Sequence, residues 1–415
     1  MLALACVASC HHGPPPAAPT PAPAPAPTPA PAPAPAPGPR SEAVPAVPAA
    51  AIGFDGARLG LVVSYLRVEA ESGAFPGAVV AVGRHGRIAL LAAVGQYSVD
   101  DHRPVDVTTI YDLASLTKVI ATTTACMLLV DDGKLELDKP VQQYLPEFRG
   151  AGKERVTVRE LLTHSAGLPW WRPLYRETGS REAALALVDT TPLVTTPGER
   201  YVYSDLSAIL LMQIVERLSG EPLDSFVTRR VFRPLGMAST RYLPPPAWQS
   251  RIAPTENDTA FRHRMLRGEV HDENAARLGG VSGHAGLFSN APDLARFAEL
   301  MLDGGSWDTL QLIRAETIAE FTRRQNLPPG SSRALGWDTP DEPRDSASSA
   351  GMRLSPWSFG HTGFTGTSLW IDPDRDLFII LLTNRVNPTR ANNAIRRVRP
   401  HVADLVVDAL THPEL

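Results

Sequence analysis

From about residue 54 onward, the spacing of apolar and polar positions changes period several times, and each change marks an element. Leu59, Val62, Val63 and Leu66 recur at helical spacing behind Asp55. An Asp side chain can accept the free N–H groups of a first turn, so the spacing predicts a helix over about 55–72. Residues 79–82 and 88–94 are short apolar runs joined by Arg84-His85-Gly86-Arg87, which reads as a hairpin. From about 112 to 325 the patterns are mostly helical. The run 119–130 carries no charge, so its helix should be covered on every side, with Gly133 as its stop. Strand character returns at 367–371 and 377–383 around Asp372-Pro373-Asp374-Arg375-Asp376. Residues 378–382 are continuously apolar, as in a strand buried on both faces. A last helix is expected over about 392–410. Strands at both ends with a helical region of about 113–325 inserted between them predict an α/β (α+β) domain without internal repeats.

The N-terminal stretch breaks from this pattern. Val7-Ala8-Ser9-Cys10 closes a short apolar segment and resembles a bacterial lipobox, in which the Cys is acylated. No Lys or Arg precedes that segment and it is short, which a start codon assigned too late would explain. Residues 13–50 are dominated by Pro and Ala and cannot build a core. As an extended polyproline spacer at ~3.1 Å per residue they would reach on the order of 100 Å. The expected layout is a signal segment over 1–10, a linker over 11–53 and a folded domain over 54–415. It implies export, membrane attachment through Cys10, and a periplasmic or cell-envelope location.

Composition narrows the chemistry. The chain has 415 residues, 43% apolar and 20% charged, with net charge −4, so nothing calls for nucleic acid. Only three cysteines occur, two of them in the first ten residues. Cys126 alone falls in the folded part, which leaves neither a disulfide framework nor a Cys-based zinc site. His271-Asp272-Glu273 has no second His at ligand spacing, so no metal and no other cofactor is expected. Of the 40 basic residues only Lys118, Lys134, Lys139 and Lys153 are lysine. Arg keeps its proton, whereas a buried Lys can lose it, so a lysine at a suggestive spacing carries weight here.

Ser115-Leu116-Thr117-Lys118 is the only S-x-x-K in the chain, and it opens the uncharged helix. Positions three apart share a helix face, so the Lys118 amine can reach the Ser115 hydroxyl. A serine needs a base to become a nucleophile, and burial is expected to lower the lysine pKa. Tyr203-Ser204-Asp205 heads a second apolar run, and a tyrosine near an ammonium can act as a base. Tyr201 is the nearest rival. His361-Thr362-Gly363-Phe364 precedes the strand at Thr367. The N–H groups of Ser115 and Phe364 are the expected oxyanion hole.

S-x-x-K, a Tyr/Ser-centred element and a [K/H]-T-G element in this order resemble serine β-lactamases and penicillin-binding proteins, and most of all their class C-related branch. The segments 161–169, 233–237 and 280–288 are also similar to that family, so the resemblance covers about 55–412. It implies a β-lactamase/transpeptidase-like fold, an antiparallel sheet flanked by helices plus an all-helical part, with the site between them. It further implies an acyl-serine at Ser115, proton relay by Lys118 and Tyr203, and substrate contacts from Asp205, His361, Thr362, Gly363 and Phe364. Two positions depart from the pattern. Asp205 stands where an Asn is usual, and a carboxylate cannot donate to a substrate carbonyl. His361 stands where a Lys is usual, so a fixed cation is lost near neutral pH. The expected activity is cleavage of an amide or ester in a small-molecule or peptide substrate, such as one derived from peptidoglycan. Carboxypeptidase, esterase and weak β-lactamase stay open, and a non-catalytic penicillin-receptor-like sensor is the alternative. His164 reads as a structural histidine, His284 as a possible cleft residue, and Trp170 and Trp171 as packing residues.

Overall fold

A computed structural model describes residues 44–344 and 348–412. Cys10 and most of the expected linker lie outside those residues. The expected linker boundary at 53 requires correction, because residues 44–53 belong to the folded part. Val47 N donates to Ile88 O (3.0 Å), Ile88 N donates to Pro45 O (2.9 Å), and Ile52 is buried. Val44, Val47 and Ile52 interrupt the Pro/Ala run with side chains large enough to pack, which the composition of the whole segment conceals.

The main elements run α1 (Gly56–Glu71), β1 (Gly77–Arg84), β2 (Arg87–Gly95), α2 (Thr124–Asp131), α3 (Asp205–Ser219) and α4 (Ala291–Leu302). After them come β3 (Phe359–Thr362), β4 (Ser368–Asp372), β5 (Leu377–Thr383) and α5 (Ile395–Asp408). The expected cap is in place at α1, where Asp55 Oδ1 accepts from the N–H groups of Ala57 (2.9 Å) and Arg58 (3.1 Å). The β1–β2 hairpin turns through His85 and Gly86, with φ of 53° and 69°. Two successive positive φ values match the right-handed twist of a hairpin.

The five strands form one antiparallel sheet in the order β3-β4-β5-β1-β2. Alternate residues divide between two apolar cores. Ala78, Val80, Val82, Trp370, Ile379 and Leu381 pack with residues of α1 and α5. Val79, Ala81, Leu369, Phe378, Ile380 and Leu382 join the core built by α2, α3 and α4. Both faces are therefore covered, which accounts for the unbroken apolar run in β5. β3 is an edge strand that the sequence pattern did not mark: strand character was expected only from Thr367.

Between β2 and β3 the chain is largely helical. A short ribbon pairs Tyr111–Asp112 with Leu287–Ser289 and the latter with Arg241–Tyr242. Residues Lys118–Thr123 wind as a wider, π-type turn that continues into α2, and all of them are buried. No helix among the described residues is long and apolar enough to cross a membrane.

Candidate active site

The approach to Ser115 is clamped by Asp112. This buried carboxylate accepts from Ala114 N (2.8 Å) and His271 N (2.7 Å). Burial pushes its pKa up, and the two N–H bonds oppose that shift. Ala114 sits at φ 46°, left-handed for a residue with a Cβ. The tight turn carries the chain from the ribbon strand into the helical turn, where Lys118 N donates to Ser115 O (3.0 Å).

Lys118 lies 3% exposed in a nest of acceptors. Its Nζ is 2.9 Å from Ser115 Oγ, 2.7 Å from Asp205 Oδ1 and 3.1 Å from His284 O. Here the expectation of a lowered lysine pKa fails. Burial does push it down, but the Asp205 carboxylate and the Tyr203 side chain together outweigh burial, and the net shift is upward. The upward shift favours the ammonium form of Lys118.

Tyr203 and Asp205 stand at the head of α3, held by the segment before it. Asp205 N donates to Trp170 O (3.1 Å), Ser204 Oγ to Pro169 O (2.7 Å) and Ser204 N to His164 Nδ1 (3.1 Å). The His164 ring packs 4.6 Å from the Tyr203 ring. Its pKa is well below the usual value because it is buried and faces Arg333 and Lys118, so it is a neutral positioning group. The Lys118 Nζ lies 5.0 Å from the Tyr203 ring centroid. Tyr201, the rival, is exposed. The expectation that Trp170 packs inside also fails: it is 65% exposed and stacks on Trp171 at 5.6 Å.

The turn after β3 docks on the residues just before Ser115. Thr365 Oγ1 donates to Asp112 O (2.7 Å) and Thr367 Oγ1 to Leu113 O (3.0 Å). Gly363 comes so close that a Cβ there would lie 2.3 Å from Leu113 O. Neither Ser115 N–H nor Phe364 N–H donates to a described residue, so both are free to meet a substrate oxygen. The Phe364 side chain is half exposed, against the His271 ring and under the Arg385 guanidinium. His361 is buried, and its Nδ1 donates to Thr362 O (2.8 Å), which leaves Nε2 without a hydrogen. Its pKa is well below the usual value because of burial, Arg333 and Lys118, so the ring is neutral.

Two arginines of this region carry no motif and went unread in the sequence. Arg399 NH2 donates to Gly363 O (2.6 Å) and Thr367 O (2.8 Å), bracing the turn from behind. Arg333 is 5% exposed, with its guanidinium 5.6 Å from the Tyr201 ring and 5.9 Å from the Tyr203 ring. It pairs with Asp338, while its Nε has no hydrogen-bond partner among the described residues. Asp205, Asp272 and His284 place one donor atom each within 4.8 Å of one another. Lys118 already occupies Asp205, and His284 Nε2 is bonded to Asp272 (2.8 Å), so the cluster is better suited to an ammonium than to a metal ion. His284 thus reaches the site through its main-chain oxygen, with its ring buried.

Residues 62–403 match the family model described as Beta-lactamase. The chain is 33% identical over 389 residues to a Salmonella agona protein named "Putative D-alanyl-D-alanine carboxypeptidase", with 85% of this chain and 87% of that one covered. Among solved structures, a penicillin-binding protein homologue from Caulobacter crescentus superposes with a TM-score of 0.68 at 22% identity, covering 85% of this chain and 98% of that one. The hydrolase EstCE1, described as having promiscuous acyltransferase activity, gives 0.67 at 22% identity, covering 84% and 99%. The fold is that of β-lactamases and transpeptidases, the chain is a serine hydrolase, and it belongs to the beta-lactamase family.

Proposed function

We propose that the protein cleaves a D-alanyl-D-alanine-type peptide, or an ester of similar shape, through an acyl-serine at Ser115. The observation that carries this reading is the hydrogen bond from Lys118 Nζ to Ser115 Oγ (2.9 Å) inside a cluster that also holds Tyr203 and Asp205. A lysine with its protons engaged by three acceptors has no lone pair to offer. The base is therefore Tyr203 as a phenolate held by the Lys118 ammonium: it takes the Ser115 proton as Oγ bonds to the substrate carbonyl carbon, becoming the phenol, and Lys118 supplies positive charge beside both oxygens. The N–H groups of Ser115 and Phe364 hold the oxyanion. When the C–N or C–O bond breaks, Tyr203 returns the proton to the leaving group. Water then enters by the reverse sequence and frees Ser115.

Arg333 favours the carboxypeptidase reading. His361 offers no cation, but the Arg333 guanidinium, although paired with Asp338, stands 5.9 Å from the Tyr203 ring with its Nε unpartnered among the described residues, a positive charge that a terminal carboxylate could share. The carboxypeptidase name of the Salmonella relative points the same way. Export and a lipid anchor at Cys10 form part of the proposal, since peptidoglycan lies outside the cytoplasmic membrane.

The test compares the protein with Ser115→Ala on a D-Ala-D-Ala peptide, a p-nitrophenyl ester and a labelled penicillin. Turnover that disappears in the variant supports the reading. A stable adduct without turnover on any substrate would favour a sensor, and turnover retained by the variant would move the nucleophile elsewhere.

A further inference from the structure

The 280–287 segment, Gly-Val-Ser-Gly-His-Ala-Gly-Leu, takes no part in the acyl transfer above, yet it touches both pieces of chain that do. On the nucleophile side, Thr122 Oγ1 donates to Gly283 O (2.7 Å), Lys118 Nζ to His284 O (3.1 Å) and Leu287 N to Thr117 Oγ1 (3.1 Å). On the other side it lies against α3, where a Cβ on Gly283 would fall 2.0 Å from Ala208 O. The segment is a strap between the helical turn of Ser115 and the helix of Asp205.

Glycines at 280, 283 and 286 give this strap little stiffness of its own. Side chains supply it. Tyr242 Oη donates to Ser282 O (3.1 Å), and the His284 ring is held at both ends, by Ser282 Oγ at Nδ1 (2.8 Å) and Asp272 Oδ1 at Nε2 (2.8 Å). Asp272 Oδ1 is itself fixed by Ala275 N (2.8 Å). Burial pushes the Asp272 pKa up, but His284 outweighs this and holds it below the usual carboxylate range. An ionised carboxylate only accepts, so the hydrogen-bond network places a proton on Nε2, while the Ser282 hydroxyl can either donate to Nδ1 or accept from it. Ser282, His284 and Asp272 thus stand in the order of a hydrolytic triad. Ser282 is fully buried, however, and its hydroxyl is spent on the imidazole, so it is no second nucleophile.

We propose that His284 is a positioning residue: its ring, clamped between Ser282 and Asp272, fixes the main-chain carbonyl that receives Lys118 Nζ and so sets where Lys118 stands between Ser115 and Asp205. Without the ring the peptide between two glycines turns freely, and the ammonium loses one of its three fixed acceptors. A misplacement of about 1 Å near a reacting group costs on the order of 100-fold in rate.

The inference rests on Ser115 as nucleophile, and the experiment separates the two. Steady-state hydrolysis of p-nitrophenyl acetate is measured for the full chain, Ser115→Ala, His284→Ala and His284→Gln, with thermal melting of each. His284→Ala is expected to lose about 100-fold in kcat while KM stays within about threefold, because substrate binding is untouched. His284→Gln, whose Nε2 can still donate to Asp272, recovers most of the rate. Unchanged kcat in His284→Ala, or a Gln variant no better than Ala, overturns the proposal. If His284→Ala does not fold, Asp272→Ala, which leaves Nε2 without its acceptor, carries the same expectation, and full kcat there overturns it equally. Turnover surviving in Ser115→Ala instead defeats the nucleophile assignment and this inference with it.

Discussion

Lys118 Nζ stands 2.7 Å from Asp205 Oδ1 in a pocket where the lysine side chain is almost fully buried. This ion pair reverses what burial alone would do to the amine. It also gives Asp205 a different task from the amide usual at that position: the carboxylate holds a charge in place and offers no hydrogen to a substrate. Function that needs the ammonium is lost as pH rises through the Lys118 pKa, and the raised value keeps that loss at high pH. Removing the carboxylate leaves burial as the dominant influence, which lowers the lysine pKa. In Asp205→Asn the alkaline limb of kcat/KM is therefore expected at lower pH than in the unaltered protein. A pH–rate profile checks this, and an unmoved limb would show that the Lys118 charge is not needed.

Tyr203→Phe keeps the ring on His164 and removes only the oxygen. Its melting temperature should stay close to that of the unaltered protein. A lost acid–base group typically costs about 10²–10⁴ in rate, so acylation by a labelled penicillin or an ester should fall by that order. Near-normal acylation would return the role of base to Lys118 or Tyr201.

Gly363→Ala tests the oxyanion arrangement through the backbone. The new Cβ would meet Thr367 Oγ1 at 2.1 Å and Leu113 O at 2.3 Å, so the turn must lift from the Ser115 side. Phe364 N–H moves with it. Loss of one oxyanion donor costs about 10²–10³ in kcat, and that is the expected drop in ester turnover. A crystal structure of the variant with an unmoved turn and full activity would sink the assignment.

The sequence made some of this legible and hid the rest for physical reasons. Ser115 and Lys118 could be paired because one helical turn links them, and unbroken apolar runs bounded by turn residues located β1, β2 and β5 closely. The charge state of Lys118 could not be read, since it depends on Asp205 approaching from another helix. β3 was missed because Phe-Gly-His-Thr has no run of β-branched residues; the strand exists through its pairing with β4. Arg333 and Arg399 had no signal at all among so many arginines, and only the folded chain brings them to the site. His164 was read as structural from its place before Gly-Leu-Pro, and the fold has it buried, accepting from Ser204 N beside the Tyr203 ring.

Lys153 offers a test of stability away from the site. It is 1% exposed, donates to Asp189 O (2.6 Å) and lies 4.5 Å from the Phe148 ring centroid. Burial lowers its pKa to about 8, against a weaker opposing pull from Asp189. An unfolded lysine titrates near ~10.4. Between these two values the unfolded chain binds more protons than the folded one, so this group adds stability as pH rises through that window and costs stability below it. Lys153→Met removes the titration and with it this part of the slope. Urea midpoints taken from pH 7 to 10 should rise more steeply for the unaltered protein than for the variant, before any alkaline unfolding sets in. Parallel curves would mean that Lys153 keeps its ordinary pKa, with its charge carried by the Asp189 carbonyl at the end of its helix.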